Sequence, residues 1–86
     1  MTHPDPTRFV LVGTSHAGNV GAAARAMRVM GFTDLVLVAP RTPGLHREAE
    51  ALARASNALD VLDGVREVAT LGEALAGITT VCATAL

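Results

Sequence analysis

Arg8 to Gly13 (RFVLVG) and Asp34 to Ala39 (DLVLVA) are short runs in which apolar and β-branched residues follow one another almost without alternation. A strand with one wet face alternates, whereas a continuous run predicts a strand covered on both faces, as in a parallel sheet. From Asn19 to Met30, apolar residues recur at Val20, Ala23, Ala24, Met27 and Met30, the stripe of a helix that lays one side on a sheet. Asn19 is suited to cap the start of that helix and Gly31 to close its end. Pro40 closes the second strand. Thr42-Pro43 then fits an N-cap with a first-turn proline, and Leu45, Ala49, Leu52, Ser56 and Leu59 keep helical spacing. Arg66 to Ala69 predicts a short strand. Thr70-Leu71-Gly72-Glu73 reads as a capping box opening a short helix that Gly77 ends. Ile78 to Ala83 (ITTVCA) predicts a last buried strand.

Strand and helix alternate with connections short enough to imply parallel crossovers. The predicted fold is α/β: an open parallel sheet, wound right-handed, with flanking helices. Residues 1–7, with Pro4 and Pro6, form a loose lead-in, and residues 8–86 a single domain. Three or four strands are half of the usual open α/β architecture, so the domain is expected to be incomplete.

Composition narrows the chemistry. Half of the 86 residues are hydrophobic, but Phe9 and Phe32 are the sole aromatics, so the core is built of many small contacts. The one cysteine, Cys82, excludes an internal disulfide and a cysteine-based zinc site; no metal is expected. A net charge of −1 gives no overall basic field, and every basic residue besides histidine is arginine. The start, MTHPDPTR, lacks the basic-then-apolar pattern of a signal peptide. No segment is apolar for long enough to span a membrane, so the expected location is cytoplasmic.

The glycine-studded stretch GTSHAGNVGAAAR, Gly13 to Arg25, follows the first strand, where a helix start commonly meets a phosphate or a ribose. It begins like a P-loop, but Asn19 and Val20 stand where lysine and Ser/Thr hold phosphates and magnesium. It lacks the GxGxxG spacing of a dinucleotide fold, and Asp34 opens the second strand instead of ending it. On a helical wheel, Arg25 falls almost opposite the apolar stripe, on a face of Gly21, Ala22 and Ala26. Small residues around one arginine suit close approach by another chain or by a nucleic-acid backbone.

The stretch TSHAGNVGAAARAMRVMGFTDLVLVAPR resembles the first motif of the SpoU-type branch of the SPOUT RNA methyltransferases. It is most like the subgroup that methylates a ribose in tRNA anticodon loops, at nucleotide 32, whose pattern reads TSHxGNxGAAARAMxxMGxxxLxLVxP. The later EALARASNALDVLDGVREVATLGEALAG is similar to the same subgroup's helix, turn and TLxEALAG segment, so the resemblance runs from about residue 8 to residue 86. It implies a Rossmann-like sheet finished by a C-terminal knot that holds S-adenosylmethionine, and a homodimer acting on tRNA or rRNA. The knot would lie beyond Leu86, so the 86 residues are expected neither to hold the donor nor to turn over alone.

Carried over by position, the resemblance makes Asn19 and Arg25 the pair beside the target ribose, with Arg25 clamping phosphate or ribose oxygens. Ser15 and His16, in the turn, are expected RNA contacts, and Arg28 and Arg41 are RNA-facing candidates. Thr84 matches a threonine that touches the cofactor. Ala85 and Leu86 take the next two places, where the subgroup's GTSAR is replaced by Ala83-Thr84-Ala85-Leu86. Two other readings remain open: a Rossmann-like domain that binds a nucleotide or phosphate through the Gly18–Gly21 turn, and a non-catalytic fragment that dimerises through the Arg25 face.

Overall fold

The computed structural model describes residues 7–76 and the backbone of residues 80–85. Strand β1 (Thr7–Val12) leads through helix α1 (Ala17–Met30) to β2 (Leu35–Val38). A 3-10 turn (Leu45–Arg47) and two short helices, α2 (Ala49–Ala55) and α3 (Leu59–Asp63), precede β3 (Arg66–Val68). Helix α4 (Leu71–Leu75) then leads to β4 (Thr80–Ala85). The four strands form one parallel sheet in the order β3-β2-β1-β4.

Both faces of this sheet are packed. Leu11, Leu35 and Leu37 pack with Val20, Ala24 and Met27 of α1 and with residues of α2 and α3. Val10, Val36 and Val38 point the other way and pack with Ala74 of α4. All four residues of β2 are buried, as its unbroken apolar run predicts. The chain steps from β1 to β2 to β3 with its helices on one face, then returns past β1 to β4 with α4 on the other. Crossovers keep one hand only if the helix changes face when the direction reverses, and here it does. Reversal creates a switch point at the C-terminal ends of β1 and β4, where ligands of open α/β sheets bind.

Several boundaries differ from the pattern reading. Helix α1 begins at Ala17, with His16 in the N-cap position and no side chain capping it. Asn19 is therefore the third helical residue and not the cap; its own N–H donates to His16 O at 3.1 Å. The C-terminus is as expected: Gly31 sits at φ 88 and its N–H donates to Arg28 O. Met30, placed in the core by periodicity, is 56% exposed at the rim of an apolar recess that it shares with Phe9 and Leu35.

The long second helix is three pieces. Thr42-Pro43 does not cap; the chain turns through Gly44 at φ 76, whose N–H donates to Glu67 Oε2 at 2.7 Å. His46 Nδ1 lies 3.2 Å from the same oxygen, so β3 holds the turn. Ser56, at φ 50, breaks the chain between α2 and α3. The expected apolar stripe is rotated as well: Leu52 and Leu59 are exposed, while Ala51, Ala55, Ala58, Val61 and Leu62 are buried. Thr70 caps α4 as predicted, its Oγ1 accepting from Glu73 N–H at 3.3 Å. It also donates to Glu73 Oε1 at 3.1 Å. Helix α4 ends at Leu75, and the expected terminator Gly77 lies outside the described residues. The last strand begins at Thr80, two residues later than predicted.

Candidate functional site

The first part of the site is the loop that leaves β1. Gly13 takes φ 66, a left-handed conformation natural to glycine, and its N–H donates to Val38 O at 2.9 Å. One residue on, Arg41 N–H donates to Thr14 O at 3.0 Å. These bonds tie the loop to the chain leaving β2. Thr14 is fully buried and its hydroxyl has no hydrogen-bond partner among the described residues. Ser15 and His16 are exposed beyond it. In register, Leu11 faces Thr84 and Val12 faces Ala85, so Thr84 and Ala85 end β4 beside the strand that feeds Ser15 and His16. Leu86 lies outside the described residues.

The second part is α1 itself, and here the glycines have a different purpose from the one their spacing suggests. Gly18 and Gly21 are not in a turn; both are helical and buried. Gly18 N–H donates to Glu50 Oε1 at 3.0 Å. A Cβ on Gly18 would stand 2.9 Å from that oxygen, and one on Gly21 would meet the Ala51 carbonyl and lie 2.8 Å from Arg54 Cβ. The glycines let α2 come close, and a carboxylate of the protein itself occupies the amide that a phosphate-binding turn would offer. The phosphate reading of Gly18–Gly21 is thereby overturned, and Gly21 does not belong to the bare face around Arg25.

That face consists of Ala22, Ala26, Val29 and Met30, with Val29 83% exposed. Arg25 rises from it, exposed, with no ion pair or hydrogen bond among the described residues. Its guanidinium borders two open grooves. One, of about 470 Å³, is lined by Ala22, Ala26, Val29, Met30 and Arg54. The other, of about 410 Å³, runs along Arg28, Val29 and residues Ala55 to Ala58. Arg28, expected to face RNA, lies 3.3 Å from Asp60 Oδ2 through Nε, and both side chains are about half exposed, so the pair is weak. Asn19 is exposed. It stands six residues before Arg25, about 9 Å along the axis and 120° around it, so the helix does not bring the two side chains together by itself.

A model of the SpoU rRNA Methylase family matches residues 6–85. The chain belongs to that family. A curated SpoU relative, the tRNA (cytidine/uridine/adenosine-2'-O-)-methyltransferase TrmJ of Pseudomonas aeruginosa, is 52% identical over 80 residues, covering 93% of this chain and 30% of the relative. The tRNA (cytidine/uridine-2'-O-)-methyltransferase TrmJ of Salmonella typhimurium is 48% identical over 77 residues, again 30% of its length. A solved protein of Bordetella pertussis Tohama I, described as a probable methyltransferase, superposes with a TM-score of 0.84 at 53% identity, covering 87% of this chain and 45% of its own. TrmJ from Z. mobilis ZM4 superposes with a TM-score of 0.72 at 40% identity, covering 81% of this chain and 30% of its own. The chain thus spans about a third of the curated relatives it matches.

Within this SpoU domain, Glu50 and Arg54 escaped the sequence reading. The spacing of Glu50 and Arg54, four apart on a helix, was the available signal. Among the described residues no cluster of three or more metal-ligating side chains is present, and no helix is long and apolar enough to cross a membrane.

Proposed function

We propose that this SpoU domain is the N-terminal part of an RNA ribose 2′-O-methyltransferase that uses S-adenosylmethionine and acts on tRNA. The observation that carries the reading is Arg25, a guanidinium without a partner among the described residues, on the open, small-residue face of α1, in a family whose curated members above are named for this reaction. The bound donor would supply an electrophilic methyl group: the 2′-oxygen would bond to that carbon as the carbon–sulfur bond breaks and the neutral thioether leaves, with the hydroxyl proton passing to water. What this chain contributes is position and charge.

A guanidinium keeps its proton in proteins, so Arg25 is a poor base. It serves instead as a clamp on ribose or phosphate oxygens, stabilising the charge that grows on the 2′-oxygen. Asn19, free of capping duty, hydrogen-bonds near the sugar. Ser15 and His16 meet the RNA at the mouth of the sheet. Arg28 joins them if it leaves Asp60 for a phosphate.

For the donor, the described residues fit one edge of a pocket: the adjacent C-terminal ends of β1 and β4. Thr84 and Ala85 lie on that edge, with Leu86 next in the chain. The 86 residues alone are expected not to retain the donor. The full-length protein is proposed to be a cytoplasmic homodimer, with rRNA as the second substrate class.

Tritiated methyl transfer to bulk tRNA tests the reading. The full-length protein is expected to label ribose 2′-oxygens. Arg25→Ala is expected to cut turnover by about 100-fold or more, in the range of removing one oxyanion-stabilising donor, while donor binding by equilibrium dialysis stays within about twofold. Equal loss of donor binding and turnover would remove the clamp, and absence of labelling by the unsubstituted protein would remove the reaction.

A further inference from the structure

We infer that Arg54, on α2, is a second phosphate-binding residue that works beside Arg25 on the RNA backbone; this rests on the RNA-methyltransferase reading above. Both arginines line the groove of about 470 Å³, and among the described residues no carboxylate lines it with them. Their closeness has a structural cause. Because Gly21 lacks a Cβ, α2 approaches until Arg54 Cβ stands 2.8 Å from where that atom would be. Gly21 and Arg25 are four residues apart on one helix, about 6 Å along the axis. The stem of Arg54 is therefore rooted one turn from the stem of Arg25.

Arg54 is also released from the pairing its own helix would offer. Glu50, four residues earlier, is the ordinary partner for an arginine at this spacing, but its carboxylate is engaged with Gly18 N–H. No ion pair or side-chain hydrogen bond of Arg54 occurs among the described residues, in contrast to Arg8 with Asp34 and Arg28 with Asp60. Two like charges over a floor of Ala22, Ala26, Val29 and Met30 call for an anion. A second copy docked on this groove by a two-fold axis would set guanidinium against guanidinium. An RNA backbone offsets both, and Ala22 and Ala26 leave room for a sugar edge between them.

The test uses the full-length protein and unmodified tRNA transcripts, with filter binding across a salt series and steady-state methyl transfer. Arg54→Ala is expected to raise KM for tRNA about tenfold with kcat within twofold. The slope of log K against log salt should become shallower by about 0.7–0.9, the loss of one phosphate contact. Arg54→Lys should keep the slope and recover part of the affinity. Arg47→Ala, the same charge change in the 3-10 turn, should leave both unchanged. Unaltered slope and KM in Arg54→Ala, with the unsubstituted enzyme active, would overturn the inference and leave the reaction standing. A shift of Arg54→Ala from dimer to monomer in sedimentation would overturn it in favour of a protein contact. If the unsubstituted protein binds tRNA without methylating it, the reaction fails, and the slope still decides Arg54.

Discussion

Gly21 has room for a hydrogen and nothing larger. A methyl group there would press on the Ala51 carbonyl and on Arg54 Cβ, and a backbone carbonyl in a packed helix cannot swing aside as a side-chain tip can. Gly21→Ala would gain about 1 kcal/mol of helix propensity and lose about 1–3 kcal/mol to overpacking. The net expectation is destabilisation, read as a lower urea midpoint for the 86-residue chain; a raised midpoint would show that α2 can retreat at no cost. The identity of this glycine was legible in the sequence, and its purpose was not. Gly, small residue and arginine in that order suit a ligand turn and a helix–helix contact equally well. Only the position of α2, set by residues about 30 further along, distinguishes them. Arg25 was legible because the wheel depends on its own helix alone, and it is exposed as expected.

Helix α1 starts where a partner from elsewhere in the fold meets its open amides. The first N–H groups of a helix lack intrahelical acceptors, and here Glu50 of α2 supplies one to Gly18 and sets a negative charge at the positive end of the helix. Glu50→Ala is expected to cost about 1 kcal/mol, the ordinary scale of a lost N-terminal cap, whereas Asn19→Ala should change thermal stability by less than about 0.5 kcal/mol, as an exposed residue whose side chain has no hydrogen-bond partner among the described residues. Paired melting curves test this contrast; a reversed order would restore Asn19 as the cap. A cap supplied from 32 positions away leaves no local pattern, which is why the N-cap of α1 was misplaced by three residues. The stripe of α2 failed for a related reason. Leucines were expected inward, yet a helix pressed against two glycines buries its alanines, Ala51 and Ala55, and turns Leu52 outward. By contrast β1, β2 and the Thr70 cap depend on neighbours in sequence, and they lie close to where the pattern put them.

At the scale of the whole molecule, the sheet depends on how the chain is carried back to β4. Helix α4 carries it with a single buried residue, Ala74, and with Leu71 and Leu75 both exposed, so its apolar anchorage is slight. Arg8 adds the polar anchor. Its side chain is 11% exposed, its Nε lies 2.9 Å from Asp34 Oδ2 and its Nη1 donates to Ala74 O at 2.8 Å. One side chain thus joins the start of β1, the approach to β2 and the end of α4. Arg8→Met keeps the apolar stem but leaves the Ala74 carbonyl without that donor, and leaves Asp34 with Arg66 at 3.7 Å. The expected loss is about 1–3 kcal/mol, the range for unmaking a part-buried charged hydrogen bond. Amide exchange should rise in α4 and β4 before it rises in α1, because α1 rests on the opposite face of the sheet. Since β4 meets β1 in the register that sets Ala85 beside Val12, loosening it disturbs the mouth of the sheet and spares the α1 groove. In the full-length protein, Arg8→Met should therefore raise KM for the methyl donor more than KM for tRNA. An equal rise in both would mean that the two halves of the site are mechanically one.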